Sequence, residues 1–420
     1  MEFTDNAMAT ILLCSHLGLR DQELTPYTLK EWNILVDKLL YTEYKDPSAL
    51  LGQDVDQIIN TLHYTKDQEV RLKKLLSRGG SVALTLDELS RKGIYVVTRG
   101  DKSYPLLLRK RLMKKTPPIL FYVGDLSLIN KVGIAIVGSR NIDNECEEYT
   151  KKLVKKAVSE KLIIFSGGAR GIDNISETTA LESGSAVVSF VADALTTKIK
   201  KIELIPYIQR GKMLLISDVN PDVGFTAARA MNRNKYIYTS SCGAFVIASD
   251  YNKGGTWTGA TENLTNNWVK TLVWDQKRFR GNVELIYRGA KPIDNLDNES
   301  ILELIAKKET FYQEDLFSYQ NKQSLISEGN DYDTPQTDNE KNEINNQNTQ
   351  QIKDIYPYVI QHIMDVFKEP ITIDNAAEIL NINKSQLQVW IKRGIDTGII
   401  EKSDKPVRYK AIQLPINSVI

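Results

Sequence analysis

Cysteine and histidine are scarce in this chain of 420 residues, which has three of each. Cys14, Cys146 and Cys242 form no CxxC pair, and His16, His63 and His362 lie far apart. Disulfide frameworks and zinc sites need paired or clustered ligands, so neither is expected, and no metal or other cofactor is implied. No histidine falls between residues 90 and 300, which removes a His-based triad from the motif-bearing region. Long apolar runs are missing as well. The chain opens MEFTDN, acidic rather than basic, and no segment approaches the roughly 18 uncharged apolar residues that suggest a membrane helix. The expectation is a reduced, cytoplasmic protein with no membrane segment.

Excess charge is also lacking, since the net is +1. That average argues against a nucleic-acid partner, but it hides an asymmetry. Between Asp101 and Ala290 there are 28 Lys and Arg against 18 Asp and Glu, a net of +10. From Phe311 to Asp354 nine acidic residues face three basic ones. A basic middle is thus paired with a detached acidic segment able to shield it. Hydrophobic residues at 42% and charged residues at 25% are ordinary for a globular protein, and the length allows two or three domains.

Residues 1–90 read as a helical (SAM-like) module, with apolar residues at helical spacing in Tyr27–Leu40 and Asp67–Ser77. Near Gly93 the pattern changes. Apolar, β-rich runs occur at 93–98, 119–124, 133–138, 162–167, 186–192, 213–218, 244–249 and 271–275, several separated by helix-length segments such as Cys146–Glu160 and Ile172–Ser183. Uninterrupted apolar strands alternating with helices predict a Rossmann-like, doubly wound, mainly parallel α/β sheet over residues 91–300. Residues 301–352 read as a flexible acidic linker, because 328–351 is almost wholly polar and cannot bury enough surface to offset its ordering entropy. Residues 353–420 read as a winged-helix domain: a helix to about Phe367, two close helices over 373–380 and 385–397, then a hairpin around Ser-Asp-Lys-Pro. Lys384, Gln386, Gln388, Lys392 and Arg393 would contact DNA; the competing reading is a module that packs on protein.

Four loops carry the chemistry. Gly133–Arg140 (GIAIVGSR) is a buried strand ending in a small-residue turn, whose backbone N–H groups at Gly138 and Ser139 can meet a phosphate while Arg140 adds a bidentate contact. In Phe165–Asp173 (FSGGARGID), the stretch Ser166, Gly167, Gly168, Ala169, Arg170, Gly171 combines bare backbone with a guanidinium, and Asp173 is placed to cap the following helix. Met231–Tyr236 reads as a basic patch between a short helix and a strand, offering Arg233, Asn234 and Lys235. Lys253, Gly254, Gly255 and Thr256 again set a lysine among glycines and a hydroxyl, with Trp257 open to two readings, base-stacking platform or core residue. No paired acid and base with catalytic spacing stands out.

The order of VGSR (137–140), SGGARGID (166–173), RNK (233–235), the Gly-Gly-Thr loop (254–256) and Gly281-Asn282 resembles the DNA-processing protein A (DprA/Smf) family. Tyr104–Arg109 and Pro117–Phe121 resemble that family's approach to its first strand, so the likeness covers about 90–292. It departs at Ile175-Ser176, at Phe225-Thr226 and at Gln276-Lys277, where the family usually carries Ala-His, Phe-Pro and Pro-Gly. The resemblance implies a non-catalytic, dimeric, single-stranded DNA-binding protein that handles incoming DNA during transformation and loads a RecA-type recombinase. Arg140, Arg170, Arg233 and Lys235 would line its pocket, and the Gly167–Gly171 backbone would receive a phosphate. Two readings compete: a nucleotide phosphoribohydrolase, with Glu262 beyond the Gly-Gly-Thr loop stabilising a ribosyl cation, and a nucleotide sensor, with a role in defence against phage.

Overall fold

The computed structural model describes residues 3–306 and 364–411, apart from 20, 22, 53–54, 381–383, 397–398 and 405–406. The chain divides into two compact units, Met1–Gln313 and Glu314–Ile420.

The first unit is built on nine strands: β1 (Tyr95–Thr98), β2 (Ile119–Gly124), β3 (Gly133–Val137), β4 (Ile163–Ser166), β5 (Val187–Phe190), β6 (Met213–Ser217), β7 (Gly243–Val246), β8 (Lys270–Trp274) and β9 (Lys291–Ile293). Their order is β1-β2-β6-β5-β4-β3-β7-β8-β9. From β6 to β9 every pairing is parallel, whereas β2 runs antiparallel to both β6 and β1. Strands β1 to β8 fall where the apolar runs put them. The antiparallel edge and the three-residue β9 are not foreseen by that pattern.

Alternation along the strands sorts side chains into two layers. Ile134, Ile136, Ile164 and Leu215 pack with α7 (Asn144–Ser159) and α8 (Ile172–Glu182), while Ala135, Val137, Phe165 and Ile216 pack with α11 (Ala227–Ser240), α12 (Gly254–Asn266) and α13 (Arg280–Tyr287). Helices on both faces make the sheet doubly wound. The chain builds outward from β3 through β4 and β5 to β6, then α11 carries it back across the sheet to β7 on β3's other side. The carboxyl ends of β3 and β7 therefore flank the topological switch point, the place where open α/β sheets receive ligands.

Five further helices precede the sheet: α1 (Asp5–Cys14), α2 (Leu29–Leu40), α3 (Val55–Thr61), α4 (Lys66–Leu76) and α5 (Gly79–Arg91). Capping boxes at Thr28–Glu31 and Thr65–Gln68 start α2 and α4. These helices have their own apolar cluster around Trp32, Leu35, Leu39 and Leu72, yet Ile11, Leu12, Val82 and Leu86 join the sheet's core. Among the described residues of the unit, the remaining α-helices are α6 (Leu106–Leu112), α9 (Leu195–Lys198), α10 (Ile205–Gln209) and α14 (Ile301–Ala306). The folded unit runs past the expected boundary at 300, because α14 buries Ile301 and Leu304 and Lys291 donates to the Leu304 carbonyl. The rest of the expected linker, and the helix expected from Ile355 up to 363, lie outside the described residues.

In the second unit, a 3-10 turn (Met364–Phe367), α15 (Ile373–Leu380), α16 (Lys384–Asp396) and the hairpin β10 (Ile400–Asp404) with β11 (Val407–Ala411) enclose Phe367, Ala376, Leu387, Ile391 and Ile400. Reciprocal backbone bonds between Ile371 and Tyr409 pin the hairpin to the residues before α15. Among the described residues no helix is long and apolar enough to cross a membrane.

Candidate functional site

Two adjoining cavities open at the carboxyl ends of the central strands. The larger, of about 410 Å³, lies between α11, the loop after β3 and the start of α12, and its lining includes Gly138, Ser139, Arg140, Ala169, Arg233, Asn234, Lys253, Gly254, Gly255 and Thr256. The smaller, of about 130 Å³, includes Gly167, Gly168, Ala169, Arg170 and Lys198, and shares Arg140 and Arg233 with the first. The loops after β3, β4 and β7 contribute to these two cavities. Of the expected site residues, Ser166, Gly171 and Lys235 line neither cavity.

Lys235 is the instructive case. The segment expected to be a patch between a helix and a strand is instead the middle of α11, whose N-cap is Thr226. Two residues apart on a helix means about 200° of rotation, so Arg233 and Lys235 face opposite ways. Lys235 points into a separate cavity of about 420 Å³ beneath the N-terminal helices, donating to Asn232 Oδ1 at 2.6 Å and lying near the half-buried Asp218.

The glycines serve the protein's own packing. A methyl at Gly138 would run into Ile172, and one at Gly167 would overlap Nη1 of Arg233. Gly171 adopts φ of 79° against the Ser139–Arg140 backbone. It is also the N-cap of α8, in place of the expected Asp173: the Ile172 amide donates to the Ser139 carbonyl at 3.3 Å, so the helix begins against the neighbouring loop. Asn234 donates to the Gly255 carbonyl and Thr256 to the Gly138 carbonyl, both at 2.9 Å, locking α11, α12 and the β3 loop into one wall. Ser166 is spent on the Ile136 carbonyl at 3.0 Å.

Below this wall sits a charged cluster in which the pattern singled out two members, Asp173 and Arg233, and missed the third, Glu177. Arg233 is only 4% exposed, and among the described residues nothing accepts from its Nε or Nη1. Asp173 and Glu177, one turn apart on α8, are buried beside it. Burial pushes the Asp173 carboxyl up to about 6, with the Arg233 charge and the amides of Ala169 and Gly167 pulling the other way. Burial likewise raises Glu177 to about 7, against bonds from the Ser189 hydroxyl at 2.7 Å and the Gly168 amide at 2.8 Å. The loop amides at 167–169 thus already serve carboxylates, and an anion arriving here meets side chains first.

Those side chains are Arg140 and Arg170, both exposed, with Lys198 half-buried at the end of α9. The Arg140 guanidinium lies 5.5 Å from the ring centroid of Phe225, which is 50% exposed. Lys198 belongs to no motif legible in the sequence, whereas Phe225 stands where the resembled family carries its Phe-Pro. Trp257 resolves to the core: it is buried edge-on to Tyr251, with Arg288 over its ring. Glu262 is absent from the cavity lining and directs its charge at Lys235.

The fold and site define a doubly wound α/β protein with a cationic crevice at its topological switch point. The chain belongs to the DNA recombination-mediator protein A family, whose model matches residues 95–305. The DNA processing protein DprA of Bacillus subtilis (strain 168) is 25% identical over 304 residues, covering 70% of this chain and 99% of the relative. Protein Smf of Escherichia coli (strain K12) is 24% identical over 182 residues, or 42% of this chain and 48% of Smf. Among solved structures, DNA processing protein A from Streptococcus pneumoniae superposes with a TM-score of 0.52 at 20% identity, covering 70% of this chain and 95% of that one.

Proposed function

We propose that the chain binds single-stranded DNA through its phosphates at this crevice, as a non-catalytic mediator that presents the strand to a RecA-type recombinase. The carrying observation is the convergence of Arg140, Arg170, Arg233 and Lys198 on two adjoining cavities, with Phe225 exposed at their edge. Arginine forks suit phosphate oxygens, and an aromatic face accepts any base, a combination suited to sequence-tolerant single-strand binding. Membership of the recombination-mediator family supports the same reading, and the displacement of Glu262 from the cavity lining weighs against a phosphoribohydrolase. The family likeness supports action as a homodimer in the cytoplasm, on incoming foreign DNA. The C-terminal unit is the winged-helix module of this reading, with Gln388 and Lys392 exposed on α16 toward DNA or a partner.

The test is anisotropy of a labelled 20-nucleotide oligo-dT and of a duplex of equal length. The single strand binds more tightly, and replacing Arg140 and Arg170 together with Ala weakens it about tenfold, the loss expected from two exposed charge-assisted contacts. Equal affinity in the double variant would remove the crevice as the DNA site.

A further inference from the structure

Arg233 is costly where it stands. A guanidinium keeps its charge at any physiological pH and has five donors to satisfy. Burying it with open N–H groups is unfavourable, because each unmade bond forfeits the water it replaced. Asp173 and Glu177 offset its charge without accepting from Nε or Nη1. Five residues further along α11, Tyr238 also lines the cavity, and its hydroxyl is buried with no partner among the described residues. Both residues line the larger cavity, and the negative charge of Asp173 acts on each. Alanines at 227 and 230 and glycines at 254 and 255 keep the walls back, and about 410 Å³ is a volume in which small ligands bind.

An internal phosphodiester offers two free oxygens and needs room for chain on both sides. A terminal phosphate offers three and a second negative charge, and requires chain on one side only. Buried donors beneath a rim of exposed Arg140 and Lys253 match the second ligand better. We propose that this cavity is a socket for a terminal phosphate of a nucleotide, held by Arg233 and Tyr238. The source is either the phosphorylated end of a DNA strand or a free nucleoside monophosphate. The inference rests on the single-strand reading above and adds that ends bind differently from interiors.

The experiment uses the full chain with oligo-dT of one length carrying 5′-hydroxyl, 5′-phosphate or 3′-phosphate ends, circular single-stranded DNA, and dTMP against thymidine as competitors. A phosphorylated end raises wild-type affinity at least about tenfold, the factor supplied by one charge-assisted hydrogen bond. Tyr238→Phe removes only the unpartnered hydroxyl and lowers that preference about threefold, while Arg233→Met reduces it to under twofold. Because the wild-type comparison involves no substitution, a variant that fails to fold leaves the outcome readable. Salt-sensitive binding of circular DNA with no preference for phosphorylated ends overturns the socket and spares the single-strand site. Competition by dTMP but not thymidine, with no oligonucleotide binding, keeps the socket, assigns it to free nucleotide and overturns the single-strand reading. Binding of none of these probes overturns both.

Discussion

Glu177→Gln replaces one buried acid with its uncharged isostere. The amide oxygen can still accept from the Gly168 amide and the Ser189 hydroxyl, which both donate to Oε1 in the wild type. Only the charge is lost. The folded-state pKa of Glu177 is raised from its ordinary 4.5 to about 7, so the folded chain holds this proton more tightly than the unfolded chain. The stability tied to it is fully present below pH 4.5 and is lost as pH rises through about 7. At about 1.4 kcal/mol per pH unit, this amounts to roughly 3 kcal/mol by pH 8. The glutamine form has no such loss. Urea unfolding at pH 5 and pH 8 should therefore find the two proteins similar in acid and the variant more stable by about 2–3 kcal/mol at pH 8. Parallel pH dependences for both would refute the buried, proton-binding account of this cluster.

Lowering pH from 8 to 6 should also strengthen DNA binding. Asp173 and Glu177 gain protons there, removing negative charge beneath the incoming phosphate while Arg140, Arg170, Lys198 and Arg233 still line the two cavities and Asp193 and Asp250 remain at their edges; anisotropy titrations at both pH values check this, and E177Q should reduce the difference. Gly167→Ala should displace Arg233, costing about 1–3 kcal/mol as an overpacked core does, and should weaken DNA binding; unchanged urea unfolding and DNA affinity would contradict the packing of that guanidinium on the loop. Lys235→Ala should leave single-strand affinity within about twofold, because the side chain sits on the far face of α11; a loss like that of Arg140→Ala would place the DNA path elsewhere.

The sheet was legible because buried parallel strands are apolar without interruption and recur between helix-length segments. Strand direction was not: nothing within Ile119–Gly124 says that it pairs antiparallel with β6, since that depends on which neighbour the folded chain offers. The 3-residue β9 with its central Pro292 is too short to carry a period. At the site, Gly138, Arg140, Gly167 and Arg170 were visible as loop signals after strands. Arg233 and Lys235 were visible as a basic cluster, but treating the segment as a patch hid that a helix turns them apart. A helix starting at Thr226 would have revealed this from the rotation alone. Glu177 had no signal, because its importance comes from burial against Gly168 and Ser189 on other elements. Lys198 and Phe225 reach the cavity only through the path of the chain after β5 and β6.

The central claim, that the crevice holds single strands by their phosphates, is tested most directly by the salt dependence of binding. Each phosphate neutralised on a single strand contributes about −0.7 to the slope of log affinity against log salt. The wild-type chain should show a steep slope, and replacing Arg140 and Arg170 together with Ala should flatten it by about one to two while weakening every sequence alike. An identical slope in wild type and double variant would contradict the account.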